Sequence, residues 1–179
     1  MLKTIYTCLL ILFGMIVLEG KIASLGNHTA QAQTLSADTT TGSVVAADTR
    51  TQTFEITAGT VQANSVFHSF DIFSPANWSA VFDLTAASHN SIDLVISRVT
   101  GTEISSINGK LSIVGGNSPD LIFINPRGIS FGPNATLQLP GSFFASTAES
   151  VLFNEHEYSA TNPAAIGLLS VSVPTGLQI

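Results

Sequence analysis

Cysteine is absent from all but the start of this chain. The single cysteine among 179 residues is Cys8, inside an apolar N-terminal run. The rest of the chain can form no disulfide, so it can cross an oxidising compartment unfolded without being locked into loops. Charge is scarce as well, with Asp, Glu, Lys and Arg together only 10% of the residues. Beyond residue 32 the basic side chains are Arg50, Arg98, Lys110 and Arg127, against eleven acids, a net charge of −7. That balance excludes nucleic acid and anionic membrane surfaces as partners, since both are bound through basic patches. Helix formers such as Glu, Lys and Met are thinly scattered, and no segment carries an apolar stripe of helical period.

No apolar run is long enough to cross a bilayer, which takes about twenty residues. The longest, Ile5–Leu18, follows Lys3 and has the length of a signal-peptide core. Ala30 and Ala32 form a small-x-small cleavage site, which places the cut after Ala32 and the new N-terminus at Gln33. The competing reading is an N-terminal membrane anchor; the Ala-x-Ala and the polar stretch after it count against that. Residues 33–179 then make one domain long enough to bury a core.

What the chain does have is short strands and corners. Residues 36–53 are polar and Thr-rich, a loose lead-in with a short strand near Ser43–Ala46. From Phe54 onward the texture changes. "FEIT", "VFDL", "KLSIV" and "LLSVSV" alternate apolar and polar residues, the mark of half-buried strands. "IDLVISRV" and "DLIFIN" are continuously apolar, as strands covered on both sides are. The fold class is all-β. Asn125-Pro126-Arg127-Gly128 has the residues of a type I turn, and Gly132-Pro133-Asn134-Ala135 those of a type II turn with Asn134 at positive φ. Pro140-Gly141 is a third corner. Asn108-Gly109 is the one clear two-residue hairpin loop. Corners that bend without reversing suggest a solenoid. Periodicity alone leaves an antiparallel sandwich or barrel equally open.

The stretch "SSINGKLSIVGGNSPDLIFINPRGISFGPNATLQLPGSFFASTAES" resembles the secretion domain of filamentous haemagglutinin-type exoproteins, the passengers of two-partner secretion. "VFHSFDIFS" at Val66–Ser74, "RVTG" at Arg98–Gly101 and the closing "PTGLQI" are similar to that family's segments, in a cyanobacterial-like form. The likeness runs from about Ala58 to Ile179. The family's Asn-Pro-Asn-Gly-Ile motif stands here as Asn125, Pro126, Arg127, Gly128 and Ile129, with Arg127 departing at the third position. A second motif, Asn-Pro-Asn-Leu, is missing from Thr85–Asn90. The resemblance implies a right-handed parallel β-helix with an N-terminal cap and small extra-helical β elements. Residues 1–32 would be a signal peptide, 33–57 a lead-in and cap, and 58–179 the β-helix domain.

The function it implies is non-enzymatic. The domain would be exported to the periplasm and bound there by the POTRA-type domains of a cognate outer-membrane β-barrel transporter. Threaded outward, it would fold at the cell surface and nucleate a longer adhesin-like shaft, whose target would be a host or neighbouring cell surface or a glycan. Residues 125–129 would be the transporter recognition and turn motif. A bare sheet edge after the last coil is an aggregation hazard, so the natural chain is expected to continue past Ile179. Replacing Asn125 with Ala should then lower export at a stability cost of about 1 kcal/mol.

The alternatives are a stand-alone β-helical adhesin or glycan-binding module and a carbohydrate-active β-helix. The latter needs paired carboxylates at a set separation. Asp71, Asp83, Asp93 and Asp120 are single acids between apolar residues, read as a solvated face. His68, His89 and His156 lack metal-ligand spacing, and Glu155-His156-Glu157 reads as a solvated loop. Trp78 is a lone aromatic read as packing over a loop rather than against a glycan. No cofactor and no metal are expected.

Overall fold

The computed structural model describes residues 33–154, 156–163 and 174–179. The signal segment, Glu155 and the "LLSVSV" stretch therefore lie outside the described residues. The chain winds through stacked parallel strands into a β-solenoid of about four turns. One face holds β5 (Ser65–Ser74), β7 (Leu94–Val99), β10 (Asp120–Ile124) and β13 (Phe143–Ser146), each parallel to the next. A second face stacks β3 (Thr53–Ala58), β6 (Ser79–Leu84), β9 (Lys110–Gly115) and β12 (Thr136–Gln138) in the same way. The narrow third face pairs β8 (Ser105–Ile107) with β11 (Ile129–Phe131), and Ala76 bridges to Ile107 beneath them. The sandwich reading is excluded, because these strands pair parallel with their counterparts one coil away.

Period-two alternation builds the core. On the first face Val66, Val95, Leu121 and Phe143 stand in one inward row. On the second, Ile56, Phe82 and Ile113 do the same. These rows meet in a single core with Phe54, Phe70, Phe73, Leu111 and Phe123. Burying each such side chain contributes roughly 1.5–3 kcal/mol.

The first coil is closed by antiparallel strands. β1 (Thr34–Ala37) and β4 (Thr60–Gln62) pair with β5, and β2 (Ser43–Asp48) pairs with β3. Much of the expected loose lead-in is thus paired strand, and it removes the edges on which another chain could add. A separate antiparallel flap of β15 (Glu157–Ser159), β14 (Ser150–Leu152) and β16 (Gly176–Gln178) lies outside the coils. Its Val151, Phe153, Tyr158 and Ala160 pack on the outward Phe67, Ile96 and Ile124 of the first face. Coverage on both sides is why β7 and β10 read as continuously apolar.

Two local expectations fail. Asn108-Gly109 is a corner, since it joins β8 and β9, which belong to different faces. Gly109 does not take the positive φ that a type I′ hairpin turn requires. Glycine is needed there for another reason, because a Cβ would stand 2.2 Å from the Trp78 carbonyl oxygen of the coil below. The 132–135 turn closes through Ala135 N–H to Gly132 C=O at 3.1 Å, but Asn134 is not at positive φ, so type II is wrong. The Asn108 side-chain oxygen accepts the Asn134 N–H at 2.9 Å and holds the turn from below.

Candidate functional site

The motif at residues 125–129 sits where the third coil passes from the first face to the narrow face. Gly128 N–H donates to Asn125 C=O at 3.0 Å, and Arg127 stays out of the left-handed region, as type I requires. Gly128 has φ 123°, a backbone conformation that disfavours any side chain. Its carbonyl accepts the Ser105 N–H at 2.9 Å and starts the β8–β11 pairing. Asn125 is wholly buried. Its amide donates to Glu103 C=O at 3.1 Å and Ser105 Oγ at 2.9 Å, while its oxygen accepts the Arg127 N–H at 2.9 Å. Pro126 and Ile129 are half-buried, and Ile129 packs on the core. Only Arg127, the departing residue, is exposed. In the folded domain the motif is therefore a structural bolt with one presented side chain.

A second constellation was not anticipated. Arg98, in β7, is 1% exposed despite its charge. It points outward from the first face, in register with Ser69 below and Ile124 above. Nε donates to Ser69 Oγ at 2.8 Å, and Nη2 to Thr40 Oγ1 at 3.0 Å and to Pro163 C=O at 3.2 Å. Nη1 donates to Ser159 C=O. The guanidinium carbon lies 4.1 Å from the Tyr158 ring centroid. Ser69 Oγ in turn donates to Asp38 Oδ2, which also accepts from Thr100 Oγ1 at 2.8 Å. Partial burial works against the Asp38 charge, but hydrogen bonds from Ser69, Thr40 and Thr100 outweigh it and hold the carboxyl below its ordinary value. The one sequence signal was a lone arginine inside a continuously apolar strand.

His68 faces the core in line with Ser97 and Phe123. It is fully buried, with Nδ1 3.0 Å from Ser43 Oγ and its ring 5.2 Å from that of Phe82. Burial, with a smaller contribution from His89, pushes its pKa down to about 3, so the ring is neutral. The Tyr158 hydroxyl donates to His68 C=O at 2.7 Å, and burial pushes the phenol upward.

The acids singled out by sequence are dispersed. Asp93 and Asp120 line one open groove of about 890 Å³ beside Leu94, Ile122 and Phe144. Each is already engaged there, Asp93 by the Asn64 amide at 3.2 Å and Asp120 by the Ser142 N–H. Asp83 stands beside Glu55 on the outer surface, and a shared hydrogen bond with Asp83 raises the Glu55 carboxyl. Asp71 is exposed. Among the described residues, no three His, Cys, Asp or Glu are grouped to hold a metal ion. The Trp78 ring lies 5.0 Å from that of Phe54, tilted by 34°, and packs against the core. His156 and Glu157 belong to the flap region, Glu157 as the first residue of β15. No described helix is long and apolar enough to cross a membrane.

A parallel solenoid with antiparallel cap strands, an external flap and a buried Asn-Pro-x-Gly corner defines the class as a capped β-helical domain. The TPS secretion domain family matches residues 30–179, and the chain belongs to that family. It is the N-terminal domain of a two-partner secretion exoprotein, a class carried through the outer membrane by a transporter partner and not known as enzymatic. No curated protein and no solved structure matches the chain.

Proposed function

We propose that the domain is captured unfolded by the POTRA-type periplasmic domains of a cognate outer-membrane β-barrel. It is then threaded outward, and it folds outside as the nucleus of a longer solenoid. The observation that carries this reading is the uncovered last coil. Leu137 stands in register with the wholly buried Leu111, and Phe131 with Ile107, which is 1% exposed. Yet Leu137 and Phe131 are 49% and 43% exposed, and among the described residues no further strand pairs beyond β12 or β11. From Ile129 to Thr147 there is no charged side chain. Natural sheet edges are usually blunted by charge, proline or a bulge, so an apolar, uncharged edge is suited to receive the next coil.

Recognition would precede folding. Asn125 is inaccessible in the native domain, so a transporter that reads it must meet the unfolded chain. An extended segment can add to a sheet edge of the transporter through its backbone hydrogen bonds. In this scheme residues 1–32 direct export and are cut after Ala32, residues 33–57 form the lead-in and cap, and 58–179 the solenoid. The target of the full exoprotein would be a host or neighbouring cell surface or a glycan.

The test is secretion with and without the cognate transporter, followed by N-terminal sequencing of the exported protein. Transporter-dependent appearance in the medium, starting at Gln33, is expected. Export that ignores the transporter would overturn the proposal.

A further inference from the structure

We propose that Arg98 makes the N-terminal cap and the C-terminal flap a single cooperative unit, so that neither closes without the other. The inference concerns the folded domain and does not rest on the transport reading. Arg98 reaches Thr40, which is 58 positions earlier, and Pro163, which is 65 positions later. Thr40 and Asp38 lie in the turn that joins the cap strands β1 and β2, while Ser159, Tyr158 and Pro163 belong to the flap and its exit.

A guanidinium has five donors and no acceptor. Left buried with donors unsatisfied, it costs far more than a neutral group would. The donors of Arg98 are met by Ser69 on its own face, by Thr40 from the cap, and by two backbone carbonyls from the flap. The nearest acid, Asp38, is linked to it through Ser69. Opening the flap removes the Ser159 and Pro163 carbonyls and the Tyr158 ring, and lets water in. The guanidinium can then turn to solvent, and the cap loses its hold on Thr40. Opening the cap acts on the flap in the same way. Arg98 is the side chain that bonds both Thr40 and the flap directly, while a second, indirect route runs from Tyr158 through His68 to Ser43 of the cap.

This arrangement has a directional consequence. The guanidinium finds its full set of partners only when residues 38–163 are present together. A chain interrupted before the flap would keep its coils but hold its cap loosely.

Native-state hydrogen exchange on the full chain tests the coupling. Thr40→Ala removes the cap hydroxyl that accepts from Arg98 and donates locally to Asp38 Oδ1 at 2.7 Å, and the readout is the Tyr158 amide in the flap. Roughly tenfold faster exchange there is expected, the scale of one lost hydrogen bond to a charged group. Thr60→Ala serves as the control. It removes the Thr60 hydroxyl bond to Thr41 C=O in the cap region without touching Arg98, and the flap should be unmoved. An unchanged Tyr158 amide in Thr40→Ala overturns the proposal. An equal acceleration in both variants also overturns it, because the effect would then be general loosening.

Discussion

The Arg98 guanidinium lies 4.1 Å from the centroid of the Tyr158 ring, and the Tyr158 hydroxyl donates to His68 C=O at 2.7 Å. One flap residue thus grips two successive coils, β7 through the arginine and β5 through the backbone. Removing the arginine's geometry while keeping its charge should be costly. Lysine has no planar fork and cannot satisfy Ser69, Thr40, Ser159 and Pro163 together. Arg98→Lys is expected to lower stability by about 2–3 kcal/mol, read as a shift in urea midpoint at unchanged m-value. A loss below about 0.5 kcal/mol would show that the site tolerates a point charge.

Asn125 and Arg127 should separate structure from recognition. Asn125→Ala leaves Glu103 C=O, Ser105 Oγ and the Arg127 N–H short of a partner at a buried site. The cost is expected to be about 2–4 kcal/mol, larger than the 1 kcal/mol anticipated for an exposed turn bond. A fall in export of that variant would therefore be ambiguous. Arg127→Ala is the cleaner probe, because the exposed side chain leaves stability within about 0.5 kcal/mol. If the transporter reads this corner, export of Arg127→Ala falls while its melting temperature holds. Unchanged export would remove Arg127 from the recognised set.

Stability should fall on acidification well before ordinary carboxylates titrate. His68 is neutral in the native state with a pKa of about 3, whereas the unfolded chain protonates it near 6.5. Unfolding between those values takes up a proton. The stabilisation is complete above about pH 6.5 and declines below it by up to roughly 1.4 kcal/mol per pH unit. The decline ends near pH 3. Asp38, held below its ordinary value, adds a further loss at the acid end, as pH falls through its native pKa. Urea midpoints from pH 7.5 to pH 4.5 measure the first part. His68→Phe should flatten that slope, and an equally steep slope in the variant would assign it elsewhere.

How much of this was legible in the sequence differs by element. Ile56, Phe82 and Ile113 announced their inward row through alternation, because a strand's side chains obey a period of two whatever lies around them. The Asn125–Gly128 turn was equally local, with proline and glycine each fixing its own backbone. Asn108-Gly109 misled for the same reason, since those residues suit a hairpin loop and a solenoid corner alike. Only the Trp78 carbonyl of the coil below decides between them. Arg98 stood out as a lone charge in an apolar strand, but its partners and those of Tyr158 could not be read. Their partners lie 29 to 90 positions away, and no local pattern encodes contacts made by stacking coils.

The last coil gives the final prediction. Phe131, Leu137 and Phe144 stand on three edge strands with no charge between residues 129 and 147, so copies of the domain at high concentration should associate through this end. Leu137→Lys places a charge on the β12 edge where the wild-type side chain is already half in water. Little core is lost, and the stability change should stay near 0.5–1 kcal/mol. Light scattering should find the wild type growing with concentration and Leu137→Lys remaining monomeric. The same substitution should hinder a further coil from docking, so a longer exoprotein carrying it would fold its first coils normally and propagate poorly beyond them. Protease resistance that stops near residue 147 in the variant, but extends further in the wild type, is the expected pattern. Equal resistance in both would mean that the shaft does not build on this edge.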